Sequence, residues 1–393
     1  MWPLNLWQVF PVRDLVILVS SLRRALRVGA LAAPAGIFLA FLAPPAATAE
    51  PVHGGGVGSC DQCHVMHDAL AGQIAYVGNN PLLLAATSTD LCLTCHGTNG
   101  VFGTNPLAPP PERGAGNFVW LLEDNLNDDP DGNAYIVHGQ AAGHSIVSPA
   151  RGIAADTRWT HAPGGTFPSG ALGCTSCHDP HGNSNFRMLH GAGSVQDGQA
   201  VFLYPAPLAE GLSAVDPGVS ESPIAHTAYR AGVSAWCANC HGEYHAESAG
   251  GTFEHPVSDT IDSEERRRYN AYAGDASPNG GAAATSYLPQ VAFEGPLTGT
   301  SSTAGPATSD RIMCLTCHRA HASSAPAAGR WDFHVYRLVD DGVASGSYPL
   351  QNPYPGSAQG QLCRKCHSEN HDQGRACLGC HATPLEGPTP MAP

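Results

Sequence analysis

The stretch Cys174-Thr175-Ser176-Cys177-His178-Asp179-Pro180-His181-Gly182-Asn183 decides how the chain is read. Two thiols three positions apart, followed at once by an imidazole, are what a haem c requires. Each cysteine adds covalently to one vinyl group, and the adjacent histidine binds iron from the same side. His181, three residues further on, is too close in the chain to reach round the macrocycle to the opposite face of the same iron. As a ligand it serves a neighbouring haem. The same spelling recurs six more times, at Cys60/Cys63/His64, Cys92/Cys95/His96, Cys237/Cys240/His241, Cys314/Cys317/His318, Cys363/Cys366/His367 and Cys377/Cys380/His381. The seven motifs take all 14 cysteines and leave no thiol over.

Other uses of paired cysteines explain less. A disulfide framework needs an even count but no histidine after every second cysteine. Zinc ribbons use two CxxC knuckles per metal, and the recurring histidine again has no role. A redox CxxC comes singly, near a βαβ pattern that this chain lacks.

Composition points the same way. Of 393 residues, 45 are Gly and 33 Pro, while aromatic residues make up 7% and charged residues 13%, a mixture poorly suited to a core built from side chains alone. Seven apolar macrocycles, covalently tied, supply the missing interior. The expected fold is therefore mostly coil with short α-helices and very little β-sheet around a haem-packed core. Acidic residues outnumber basic ones for a net charge of -14, and Lys365 is the only lysine. This excludes nucleic acid and suits positively charged redox proteins, cations or mineral surfaces.

In chain order, residues 1–49 read as an export signal. Arg23, Arg24 and Arg27 precede an apolar run to Ala43, and a small-residue cleavage site follows at Ala47-Thr48-Ala49. Export matters because haem c is attached outside the cytoplasm, so the expected location is periplasmic or extracellular. The run is interrupted by Pro34 and falls short of the roughly 20 residues a membrane span needs. Residues 50–272 form a haem-binding region with four motifs. Residues 273–309, rich in Gly, Ala, Ser and Pro, read as a linker or loop. Residues 310–393 carry the last three motifs, and the final two start only 14 residues apart, so their haems must be neighbours. The other spacings (32, 82, 63, 77 and 49) have no fixed period, which excludes a solenoid of equal repeats.

Seven of the 20 histidines are proximal by motif: His64, His96, His178, His241, His318, His367 and His381. For the opposite face, His67, His181 and His321 stand three residues after a proximal histidine, and His144, His245, His255 and His371 lie in favourable settings. His138, His226 and His334 come next. His53, His161 and His190 read as solvent-facing or hydrogen-bonded loop residues. Beyond Met1 only Met66, Met188, Met313 and Met391 offer sulfur, so two-histidine coordination is expected, with lower potentials than Met/His ligation gives.

Cys174 to Gly182, Trp236-Cys237-Ala238-Asn239-Cys240-His241 and Cys314-Leu315-Thr316-Cys317-His318-Arg319-Ala320-His321 resemble the doubled-CxxCH multihaem cytochromes c of metal-respiring and related bacteria. The resemblance implies haems stacked in alternating parallel and perpendicular pairs, bis-histidine ligation and electron transfer to redox proteins or an extracellular acceptor. Some members of that family polymerise into filaments in which a histidine of one subunit ligates a haem of the next. The rival from another class is a multihaem reductase, which needs one open, five-coordinate iron beneath a polar pocket.

Overall fold

The computed structural model describes residues 60–65, 69–70, 73–74, 82–104, 111, 113–122, 126–128, 135–137, 142–157, 159–198, 200–212, 220–249, 257–333, 337–340, 352–356 and 359–367. The export signal, the seventh motif (Cys377, Cys380, His381) and His67, His138, His255, His334 and His371 lie outside these residues.

Regular structure is sparse and serves the motifs. Three cysteine pairs each occupy a single helical turn: α1 (Cys60–Cys63), α3 (Cys174–Cys177) and α7 (Cys314–Cys317). A fourth pair ends a nine-residue helix, α2 (Ser88–His96), and a fifth begins at the last residue of α4 (Val233–Cys237), with Cys240 in the turn before α5 (Gly242–Ala249). A four-residue turn is far below the length at which a helix holds itself together in water, so tertiary ties must stabilise it. Strands occur only as two-stranded antiparallel ribbons: β1–β2 (Ala69–Leu70, Gln73–Ile74), β3–β4 (Leu126–Asp128, Tyr135–Val137), β5–β6 (Val195–Gln196, Ala200–Val201) and β7–β8 (Leu208–Glu210, Ala228–Ala231). Mostly coil with short helices is the architecture the composition leads one to expect.

Two apolar clusters do form. The smaller joins Leu93 of α2 to Phe102, Phe118, Val119, Trp120, Ile146 and Ile153. The larger gathers Tyr229, Val233, Ile261, Tyr269, Tyr287, Leu288, Val291, Phe293, Met313, Trp331, Leu338 and Leu362. Residues 273–309, a linker or loop by composition, thus send Tyr287, Leu288, Val291 and Phe293 into the core. Their small residues serve close backbone approach: a Cβ on Gly305 would meet Ser286 Oγ at 2.0 Å and Asn270 Oδ1 at 2.1 Å.

The mixed-charge run at 264–268 lies in a nine-residue helix, α6 (Ser263–Ala271), whose N-cap Asp262 accepts from the Glu264 N–H at 2.8 Å. Its outer face pairs Glu264 with Arg267 and Arg268, exposed ion pairs that add little. Its inner face buries Tyr269, 1% exposed, whose hydroxyl donates to Val291 O at 2.8 Å and accepts from Leu288 N at 3.1 Å. Lys365 of the sixth motif packs over the same ring at 4.6 Å. Among the described residues no helix is long and apolar enough to cross a membrane.

Tyr269→Phe keeps the ring but strands the Leu288 N–H and the Val291 carbonyl in the core. It should cost about 1–3 kcal/mol, read as a lower denaturant midpoint with an unchanged slope.

Candidate haem centres

Backbone carbonyls aim four of the motif histidines. His64 Nδ1 bonds to Leu82 O at 3.0 Å, His178 Nδ1 to Arg187 O at 2.8 Å, His241 Nδ1 to Pro163 O at 2.7 Å and His318 Nδ1 to Ala327 O at 2.9 Å. A carbonyl only accepts, so in each case the ring donates through Nδ1 and keeps the Nε2 lone pair free for a metal. Burial also holds the His178, His241 and His318 imidazoles below their ordinary pKa, which favours the neutral form that binds iron.

The first, third and fifth motifs share one backbone clamp. In the third, the Asp179 N–H donates to Met188 O at 2.8 Å and the His190 N–H to Cys177 O at 2.9 Å. The fifth repeats it with Arg319 N to Ala328 O and Arg330 N to Cys317 O, both 2.7 Å, and the first with Val65 N to Leu82 O and Leu84 N to Cys63 O, 3.1 and 3.0 Å. In the third and fifth motifs the returning chain turns through left-handed backbone at Arg187 and Met188 (φ 52° and 56°) and at Ala327 and Ala328 (both 54°). That turn presents the Arg187 or Ala327 carbonyl to the histidine.

Opposite-face candidates arrive from distant parts of the chain. The His181 ring lies 6.2 Å from that of His64 with 16° between planes, and the His144 ring lies 5.9 Å from that of His241 at 49°. Two imidazoles on opposite sides of one metal, each nitrogen at about 2 Å, place their centroids roughly 6 Å apart. His321 lies within electrostatic reach of His178 and stacks on Phe118 at 4.3 Å. Nδ1 of His144 bonds to Ala320 O at 2.6 Å and that of His321 to Gly116 O at 3.3 Å. Burial draws His144 down to about 4 and His321 to about 3.

One backbone knot holds both residues. The His144 N–H donates to His321 O, Ser323 N to Ala142 O, His321 N to Ala115 O and Asn117 N to Ala322 O. A Cβ on Gly143 would sit 2.2 Å from His321 O, so glycine at 143 serves backbone approach. Buried Asp90 of α2 accepts from Ser148 Oγ at 2.6 Å and from Ala150 N at 3.2 Å, tying the His144 segment to the second motif.

The remaining described histidines differ in setting. His226, fully buried, turns Nδ1 to Thr227 O and Nε2 to Ser302 O, both 3.0 Å, and stacks on Tyr287 at 3.8 Å, so neither nitrogen is left for iron. Nothing in its sequence setting, Ala225-His226-Thr227, signals this core role. His190 uses Nε2 on Thr175 O at 3.0 Å, His161 lies exposed beside the Thr160 hydroxyl, and the His245 ring, on α5, sits 5.5 Å from Tyr204.

The cysteines connect the motifs in series. Cys63 lies within electrostatic reach of Cys92 and Cys95, Cys92 of Cys174, Cys177 of Cys240, Cys237 of Cys314, and Cys317 of Cys366. Six motifs therefore follow one another in space in sequence order. No disulfide joins the twelve described cysteines, and no group of three or more His, Cys, Asp or Glu converges among the described residues. Zinc requires such a group, whereas a haem iron takes four ligands from its porphyrin and needs only two side chains. The residues fit haem c.

Residues 167–200, which span the third motif, match the doubled CXXCH motif family. The C-type cytochrome OmcS of Geobacter sulfurreducens is 29% identical, with 84% of this chain and 96% of that protein covered. Two solved structures have a similar fold: OmcS nanowires of Geobacter sulfurreducens by cryo-EM, with a TM-score of 0.66, and the Outer Membrane Cytochrome S filament of the same organism, with 0.65. Each is 24% identical over 81% of this chain and all of the other.

Ala327 is exposed, so its substitution isolates the backbone. Ala327→Val should destabilise by about 1–2 kcal/mol while Ala327→Gly matches or exceeds wild type in thermal unfolding followed by haem absorbance. The repeated clamp and the serial thiols stand beside a doubled CXXCH motif at 167–200 and a similarity to a C-type cytochrome over most of the chain, so the chain resembles the doubled-CxxCH multihaem c-type cytochromes.

Proposed function

We propose that the protein is an exported electron-transfer cytochrome that holds seven haems c, each between two histidines, in one line, and that copies join end to end into an extracellular filament. The serial order of the six described motifs carries the reading, since each motif adjoins the next and none lies off the line. Bound haem supplies a reversible one-electron couple whose potential two-histidine ligation keeps low.

The chain's own residues do the rest. Carbonyls of Leu82, Arg187, Pro163 and Ala327 orient the proximal rings. His181, His321 and His144 would hold the first, third and fourth haems from the side opposite the motif histidine, which would leave no position for a substrate at those three. The two apolar clusters keep water from the motifs packed against them.

Filament assembly draws on the relatives, whose solved forms are a nanowire and a filament. It also draws on a step in register. The third motif lends His181 to the first, and the fifth holds His321 toward the third. By the same step, His67, three residues after the proximal histidine of the first motif, would serve a haem of a neighbouring copy.

The purified wild type is expected to carry seven haems by mass, to stay low-spin and to refuse carbon monoxide when reduced. His181→Ala should open one iron and bind carbon monoxide one to one. His67→Ala should leave shed material as single particles by electron microscopy where wild type gives filaments. Stoichiometric carbon monoxide binding by wild type would favour the reductase, and wild-type single particles would end the filament reading.

A further inference from the structure

Four of the five described junctions along the line, those after the second motif, are of two kinds. Between the second and third motifs and between the fourth and fifth, the first cysteines adjoin, Cys92 with Cys174 and Cys237 with Cys314. Between the third and fourth and between the fifth and sixth, the second cysteines adjoin, Cys177 with Cys240 and Cys317 with Cys366.

The first kind carries a hydrogen bond that recurs at equivalent positions. The Cys174 N–H donates to Thr89 Oγ1 at 3.3 Å, and the Cys314 N–H to Ser234 Oγ at 3.1 Å. Thr89 and Ser234 each stand three residues before the first cysteine of their own motif, and each is 2% exposed.

The local chemistry explains why a neighbour's hydroxyl is needed. A helical turn leaves its first N–H groups without partners. In the third and fifth motifs the hydroxyls of Ser176 and Thr316 take the N–H of the preceding residue, Gly173 at 3.0 Å and Met313 at 3.1 Å. Neither Gly173 nor Met313 carries an oxygen that could cap the cysteine N–H in turn, and the preceding motif supplies one.

The rest of each junction differs. Ser88 and Thr175 share a 3.0 Å hydrogen bond in the first, while their counterparts Val233 and Leu315 pack in the larger apolar cluster. Gly173 lets Thr89 approach, since a Cβ there would meet its hydroxyl at 2.5 Å; the bulkier Met313 faces the smaller Ser234. Only the hydroxyl is kept in both. The sixth motif has Gly360 at the matching position.

We infer that Thr89 and Ser234 are positioning residues: each grips, by its backbone N–H, the cysteine through which the next haem is attached, and so sets how closely the two haems of that junction approach. This rests on the electron-transfer reading and extends it to a residue type outside the CxxCH motif.

The test uses haem-loaded exported protein as wild type, Thr89→Val, Thr89→Ser and Ser234→Ala. Haem content per chain is measured first, then conductance through an oriented monolayer and the magnetic coupling between ferric haems by electron paramagnetic resonance. Thr89→Val and Ser234→Ala should hold full haem content yet show a several-fold loss of conductance and an altered coupling signal. Thr89→Ser, which keeps the hydroxyl, should restore both. Wild-type conductance and coupling in both hydroxyl-free variants would overturn the inference. So would a fall in their haem content, which would make the hydroxyls attachment groups. A wild type without haem, or one that does not conduct, would instead defeat the functional reading itself.

Discussion

The bond from a histidine Nδ1 to a backbone carbonyl is the interaction on which the structure depends. Four motif histidines and the candidate partners His144 and His321 make it, to Leu82, Arg187, Pro163, Ala327, Ala320 and Gly116. It fixes the tautomer, leaves Nε2 facing outward and holds the ring against rotation. It also demands carbonyls that no helix or sheet has already engaged. A chain of long helices would have few to give. The coil that Gly and Pro impose here is therefore a requirement of the sites, and left-handed backbone at Arg187 and Ala327 is the cost of turning two of those carbonyls inward.

Such a fold cannot be held by its elements. Turns of four residues do not survive alone, so stability comes from ties that cross the sequence. The distal rings are such ties, with His181 against His64 and His144 against His241. The knot of residues 115–117, 142–144 and 321–323 places two of them at once, and a shift in one strand of the knot would move both. With haem bound between those rings, ligation and folding would be one process, as in other chains whose metal sites assemble only on folding.

Legibility in the sequence followed the reach of the chemistry. Vinyl addition and proximal ligation happen within five consecutive residues, so the attachment sites can be read directly, and the coil-rich fold follows from composition. Distal ligation depends on how loops return, which no local pattern encodes. His144 and His226 both sit among small residues, yet one ring faces His241 and the other is closed off between two carbonyls against Tyr287. Composition misled at 273–309 for a related reason. Glycine there serves close packing, and the aromatic residues Tyr287 and Phe293, few in number, build the larger core.

What repeats in this chain is the junction between motifs. Spacings from 14 to 82 residues show no period, because the intervening loops differ in what else they do. Yet first cysteines meet first cysteines at two junctions and second meet second at two others, in alternation. Only adjacent attachment points need a fixed relation if charge is to pass along the line. The segments between motifs can then differ in length, provided each returns the next helical turn to the same neighbour. The absence of sequence period and the regularity of the junctions are two results of one constraint, applied at the cysteines and nowhere between them.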